Sequence, residues 1–248
     1  MVGDGSSCRM CFQFAICRIP APVFPSQMLL KITYYLDVIS SWCHWSEPTW
    51  ALLKSRFDEE TEFQWKVALM DSSGMPKSRP QLEWFYRRSG TIVGANHTIQ
   101  SGWYDPQLEE YLAPNLVAEA AIDFGIGRND DRVRLAIAEA GLLDGRPTSQ
   151  LAEAIAAAVA AVPELDDKSL NARASSAEIE QRIRATTAEF HALQAPQRPT
   201  YVLENEIGDR VVFSGIVTPD PLIATIGAML ADAKAQQDYD KSHEPMPR

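Results

Sequence analysis

The residues from Lys31 to Met70 constrain the fold most. Ile32 to Ile39 is rich in β-branched, aromatic and aliphatic residues, the composition of a buried strand, and a polar turn, Ser40-Ser41-Trp42-Cys43, follows it. Residues from about 46 to 57 suit a helix, and Glu62 to Met70 alternates as a second strand does. Strand (29–39), helix, strand (62–70) make a βαβ unit, whose right-handed crossover lays the two strands parallel with the polar turn at the carboxyl end of the first. A turn that opens a helix is a reactive place. Unpaired N–H groups and the positive end of the helix dipole favour a thiolate or alkoxide there over its neutral form. Pro48 falls near the expected helix start, where its missing N–H costs little.

The middle of the chain, 78–195, reads as mostly helical. Ser78 is placed to cap a helix from Pro80 to Arg88 stopped by Gly90, and Asp130 to cap one ending at Gly141. Leu151, Ile155, Val159 and Val162 form one apolar stripe, and Ser175 with Glu178 has capping-box spacing ahead of a helix reaching Leu193. Thr91 to Pro106 lacks a helical period and is a loop or lid candidate carrying His97, Trp103 and Tyr104. The β pattern then returns: Thr200 to Glu204 and Arg210 to Ser214 read as strands, Glu206 to Asp209 as their hairpin turn, and Pro221 to Lys234 as a closing helix.

The chain has 248 residues and a formal net charge of -10, so a polyanion such as nucleic acid is not an expected partner. No window approaches the about 18 unbroken apolar residues of a spanning helix, which sets aside a membrane partner. Cys8, Cys11 and Cys17 crowd the first segment, and Cys43 stands alone in the body. The Cys8-Arg-Met-Cys11 spacing has no second CxxC and no nearby histidine, so neither a zinc site nor a redox pair is expected from it. Residues 1–27 read as a disordered tail or an over-extended start, with Met28 opening the folded part.

Asp37-Val-Ile-Ser40-Ser41-Trp42-Cys43 resembles the D-x-x-C-P-W-C of the DsbA-like family, its cytoplasmic FrnE-type members especially. Arg198-Pro199-Thr200-Tyr201-Val202 resembles that family's V-P-T-F-V, whose proline is cis and faces the active-site turn, and Phe213-Ser214-Gly215 is similar to its closing S-G segment. The resemblance runs from about Leu29 to Ala235. It implies an α/β thioredoxin fold (βαβ…ββα) with a large all-helical insertion. The sheet domain would comprise 28–77 and 196–236, the insertion domain 78–195, and 237–248 a frayed end. A cytoplasmic location is implied with it.

This sequence departs from the two-cysteine members where their chemistry begins. Ser40 stands where they carry the nucleophilic cysteine, so the dithiol cycle is closed within the motif, and Ser41 replaces the proline. A serine in that place resembles instead the D-x-x-S-P-[YF]-S of kappa-class glutathione transferases and 2-hydroxychromene-2-carboxylate isomerases. There the hydroxyl donates to a glutathione thiolate, and no metal takes part. The resemblance implies glutathione as the bound thiol, a small-molecule thiol or disulfide as substrate, and Ser40 and Cys43 as catalytic candidates, with Trp42, Arg198, Pro199 and Thr200 around the bound thiol. The oligomeric state is not set by the sequence.

Each residue keeps a second reading. Ser40 stabilises a thiol or only caps the helix, and Cys43, at the resolving position, is a slow reactive thiol or a small packed side chain. Asp37 tunes a proton or satisfies turn backbone; His44 is an acid-base group or a surface side chain; Trp42, Trp45 and Trp50 line a pocket or fill the core. Three functions follow: an oxidoreductase-superfamily enzyme using an external thiol, a glutathione-dependent isomerase or transferase acting on an aromatic or electrophilic molecule, and a non-catalytic binding module.

Overall fold

A strand whose residues are nearly all buried belongs in the middle of a sheet, and the first strand takes that place. The computed structural model describes residues 28–70, 75–215 and 218–243. The Cys8 to Cys11 spacing and the rest of 1–27 lie outside the described residues, as do 244–248 of the expected frayed end. Strand β1 (Leu30–Leu36) leads into helix α1 (Ser41–Phe57) and strand β2 (Thr61–Val67). Six helices follow: α2 (Arg79–Val93), α3 (Ala113–Ala121), α4 (Arg132–Leu142), α5 (Leu151–Ala161), α6 (Asp167–Ala174) and α7 (Ala177–Ala192). The chain then returns through β3 (Thr200–Asn205), β4 (Arg210–Ser214) and α8 (Asp220–Ser242).

The sheet order is β2-β1-β3-β4. β1 and β2 run parallel from Leu30↔Thr61 to Leu36↔Val67, as the right-handed crossover requires, while β1 and β3 are antiparallel with Tyr35 opposite Thr200. That register puts Pro199 at the carboxyl end of β1, where the chain enters the Ser40 turn. Central β1 buries Leu30, Ile32 and Tyr34, whereas edge strand β2 alternates buried and half-buried positions and edge strand β4 is more open still.

Several element ends differ from the sequence reading, each for a local reason. Helix α1 starts at Ser41 and not near 46, because Ser40 caps it, so Pro48 sits inside the helix. An interior proline costs about 3 kcal/mol, and burial of Cys43, Trp50 and Leu53 along α1 offsets it. Helix α2 passes through Gly90, which lies against Trp45, and stops at Gly94, whose φ of 68° a residue with a side chain adopts at a cost. Ser176, not Ser175, caps α7 through the N–H of Ile179. Asp131 is the residue before α4 and offers no side-chain cap; Asp130 accepts from Arg132 N at 3.0 Å instead. Helix α8 runs on to Ser242, well past Lys234.

The helices between β2 and β3 share one continuous apolar core with the sheet. Where they meet α1, the contact is charged and buried. Arg134 of α4 makes a bidentate pair with Glu47 (2.7 and 2.9 Å) and bonds Asp131 at 2.9 Å, and it is 3 % exposed. Burial alone would lower the Arg134 guanidinium, but Glu47 and Asp131 raise it above its ordinary value. Removing one member of such a pair strands the other in the interior.

Candidate active site

Four contacts hold the turn between β1 and α1. Ser40 N–H donates to Asp37 O (3.0 Å), Ile39 N–H to Asp37 Oδ1 (3.1 Å), Val38 N–H to Asn115 Oδ1 of α3 (3.1 Å), and Met70 N–H to Asp37 Oδ2 (3.0 Å). Asp37 therefore satisfies backbone groups, one of its two sequence readings. Desolvation raises its carboxyl above the usual range, against the pull of the Met70 and Ile39 N–H groups. Asn115 reaches the turn from the helical insertion, so the insertion helps to shape it.

Ser40 sits at the helix cap in an extended conformation, and its Oγ accepts from Cys43 N–H at 3.4 Å. A hydroxyl that accepts at a cap can still donate its own proton, here to the neighbouring Cys43 thiol or to a stronger acceptor in a ligand. Capping and donation to a ligand are thus compatible at Ser40. The residue is 6 % exposed, and what remains open faces a cavity of about 220 Å³. Ile39, Ser41 and Trp42 line the same cavity, and opposite them stand Leu82, Phe85, Tyr86 and Arg88 of α2 with Trp103 from the segment beyond it. Trp103 donates from Nε1 to Tyr86 Oη at 2.8 Å, which fixes both rings. Arg88 is exposed at this largely apolar rim, and among the described residues no ion pair is formed by it.

Cys43 lies behind the turn. It is 2 % exposed, its backbone carbonyl accepts from Tyr34 Oη at 3.1 Å, and burial pushes its thiol up to about 12, against the Ser40 hydrogen bond that lowers it. A nucleophilic cysteine needs the opposite shift. Packed beside it are Ser46 and Tyr201, whose hydroxyls are 2.5 Å apart, and the stacked rings of Tyr34 and Tyr201.

The other sequence candidates take different places. The Arg198-Pro199 bond is cis. Arg198 Nε donates to Ala68 O at 2.6 Å and its guanidinium lies 4.6 Å over the Phe190 ring, while buried Thr200 donates from Oγ1 to Gln197 O at 2.6 Å. Arg198, Pro199 and Thr200 share the Ser40 end of the sheet without lining the cavity. Trp50 is core, Trp45 is half-buried with Nε1 donating to Ser89 Oγ at 3.0 Å, and Trp42 faces the cavity. His44 has a partner the sequence did not show: its Nε2 lies 3.2 Å from Nε2 of His97. Burial, and His97 after it, lower His44 to about 4. Of the lid candidates, Trp103 lines the cavity and Tyr104 stacks with Tyr111.

The sequence missed Arg88, Phe85, Tyr86, Asn115 and the pairing of His44 with His97. Only the aromatic content of the α2 region, Trp84-Phe85-Tyr86, could have drawn attention to it.

No family model and no curated protein matches the chain. Solved structures do match. A candidate protein disulfide isomerase from Nitrosomonas europaea superposes with a TM-score of 0.64 at 18% identity, covering 84% of this chain and 98% of that one. The cytosolic disulfide reductase DsbM from Pseudomonas aeruginosa gives 0.61 at 16%, covering 81% and 98%, and has also been solved with GSH. A probable DsbA oxidoreductase from Streptomyces coelicolor gives 0.59 at 16%, covering 88% and 93%. The fold is a DsbA-like thioredoxin fold with a helical insertion. Among the described residues no helix is long and apolar enough to cross a membrane.

Proposed function

We propose that this protein is a DsbA-like enzyme of the oxidoreductase superfamily that lacks the first cysteine of the active-site motif Ser40-Ser41-Trp42-Cys43 and works through a bound small thiol, glutathione, at Ser40. The observation that carries the reading is the position of Ser40: its Oγ caps the helix by accepting from Cys43 N–H, and the residue lines a cavity at the helix N-terminus, where its hydroxyl is within reach of a ligand thiolate, a stronger acceptor than the neutral Cys43 thiol beside it. Both features favour a thiolate over a thiol. The thiolate so formed attacks a disulfide sulfur, forms a mixed disulfide and releases the other sulfur as a thiolate. Cys43 is in this account a packed side chain, since its burial opposes ionisation. Glutathione in the DsbM structure supports the choice of thiol by fold analogy alone. A cytoplasmic, glutathione-rich setting suits the chemistry.

At about 220 Å³ the cavity is below the roughly 300–1,000 Å³ that encloses a whole ligand. It accommodates the cysteinyl part of glutathione, with the remainder directed toward Arg198, Pro199 and Thr200. The same lining supports a second reading, a glutathione-dependent isomerase or transferase. Trp42, Phe85 and Trp103 suit an aromatic body, and Arg88 an anionic group on it.

Calorimetric titration with glutathione and S-methylglutathione tests the proposal. A hydrogen bond to a charged group is worth about 1.5–3 kcal/mol, so Ser40→Ala should weaken glutathione binding by roughly tenfold or more and leave the S-methyl analogue nearly unaffected. Equal affinity of wild type and variant for glutathione contradicts the role of Ser40. No binding by the wild type contradicts the proposal and leaves the binding module.

A further inference from the structure

The contact between His44 and His97 is not used by the thiol chemistry, and its geometry has a use of its own. His44 stands in the first turn of α1, where its N–H donates to Ser40 O at 2.9 Å; His97 lies in the segment after α2, 53 positions away. The rings meet edge to face at 88°, through Nε2 of both, with the nitrogens 3.2 Å apart. Two imidazoles on one tetrahedral zinc, with Zn–N bonds of about 2.0–2.1 Å, hold their nitrogens about 3.3 Å apart.

The surroundings hold this arrangement before any ion arrives. Asn96 Oδ1 accepts from His97 Nδ1 at 3.1 Å, which directs the Nε2 lone pair of His97 at His44. Metal-binding histidines are oriented in this way by a partner on the other ring nitrogen. The Trp45 ring lies 4.9 Å from His44 and 5.0 Å from His97, packed against both. His44 is half-buried and His97 exposed, so an ion reaches the pair from solvent.

We propose that His44 and His97 form a two-histidine site for an imidazole-preferring divalent cation, zinc being the representative, which ties the segment after α2 to the first turn of α1. In the ion-free pair, His44 donates its Nε2 proton to His97. On binding, that proton moves to Nδ1 of His44, both Nε2 lone pairs turn to the cation, and neither ring changes its net charge. Among the described residues no group of three or more His, Cys, Asp or Glu side chains is placed to hold a metal. Water or an added small ligand completes the coordination, and the site is exchangeable rather than structural. His44 and His97 are 53 positions apart in the sequence, and folding brings them together.

Zinc titration of the full chain, followed by imidazole NMR, tests the site. The ring-specific readout separates it from Cys8, Cys11 and Cys17, and His191 and His243 serve as internal references. The His44 and His97 rings should shift together along one saturation curve. His97→Ala should weaken the zinc response of His44 at least tenfold, and His44→Asn should do the same to His97. Two rings with different curves, a His44 response unchanged in His97→Ala, or no response of either ring at millimolar zinc overturns the proposal. The wild-type curves alone decide the matter if a variant fails to fold.

Discussion

The first turns of α1 present two faces with opposite chemistry. On the interior face, Cys43, Ser46 and Trp50 pack against Tyr34 and Tyr201, and the polar atoms are consumed: Tyr34 Oη by Cys43 O and Glu47, Ser46 Oγ by Tyr201. On the cavity face, Ser40, Ser41 and Trp42 border an open space of about 220 Å³, which brings the Ser40 hydroxyl within reach of a ligand. Cys43 has the more reactive element and the wrong environment, its thiol pushed up to about 12 by burial. Ser40 has the weaker nucleophile and the right place. Reactivity at a helix start follows exposure to ligand and alignment with the N–H groups more than it follows the identity of the side chain.

Breaking the interior face should produce the largest effect, and on stability alone. Glu47→Ala leaves Arg134 buried with only Asp131, and loss of one partner of a buried pair costs about 3–5 kcal/mol. Urea denaturation should show this, with glutathione affinity per folded molecule retained; a stability loss below about 1 kcal/mol would make the Arg134 cluster incidental. Cys43→Ala should matter less. Replacing a small buried side chain costs about 1 kcal/mol, and glutathione turnover with a disulfide substrate should stay near wild type. A fall of tenfold or more in that turnover would move the chemistry from Ser40 to Cys43.

The fold was more legible than the site. Central β1 announced itself through its β-branched, aromatic and aliphatic residues, and the bounds of β4 coincide with the sequence reading because Asp209 and Gly215 flank a short segment carrying Val211, Val212 and Phe213. Helix starts were less legible where two signals competed. Pro48 suggested a start that the Ser40 cap placed earlier, and the adjacent hydroxyls of Ser175 and Ser176 differ in role only through the geometry of the chain. At the site, Ser40 and Trp42 could be found because they are neighbours in one motif. Arg88, Trp103, Asn115 and His97 arrive from helices and loops folded back over that motif, and no periodicity in the sequence encodes such a contact.

The central claim is that Ser40 stabilises a thiolate that is not the protein's own. Ultraviolet absorbance of the thiolate, followed against pH in the glutathione complex, measures this directly. In the wild-type complex the glutathione thiol should titrate below the ordinary cysteine range of about 8.5. Ser40→Ala should raise it by about one to two units, the equivalent of a hydrogen bond of roughly 1.5–3 kcal/mol to a charged sulfur. A bound thiol that titrates in the ordinary range, and equally in wild type and Ser40→Ala, would contradict the account.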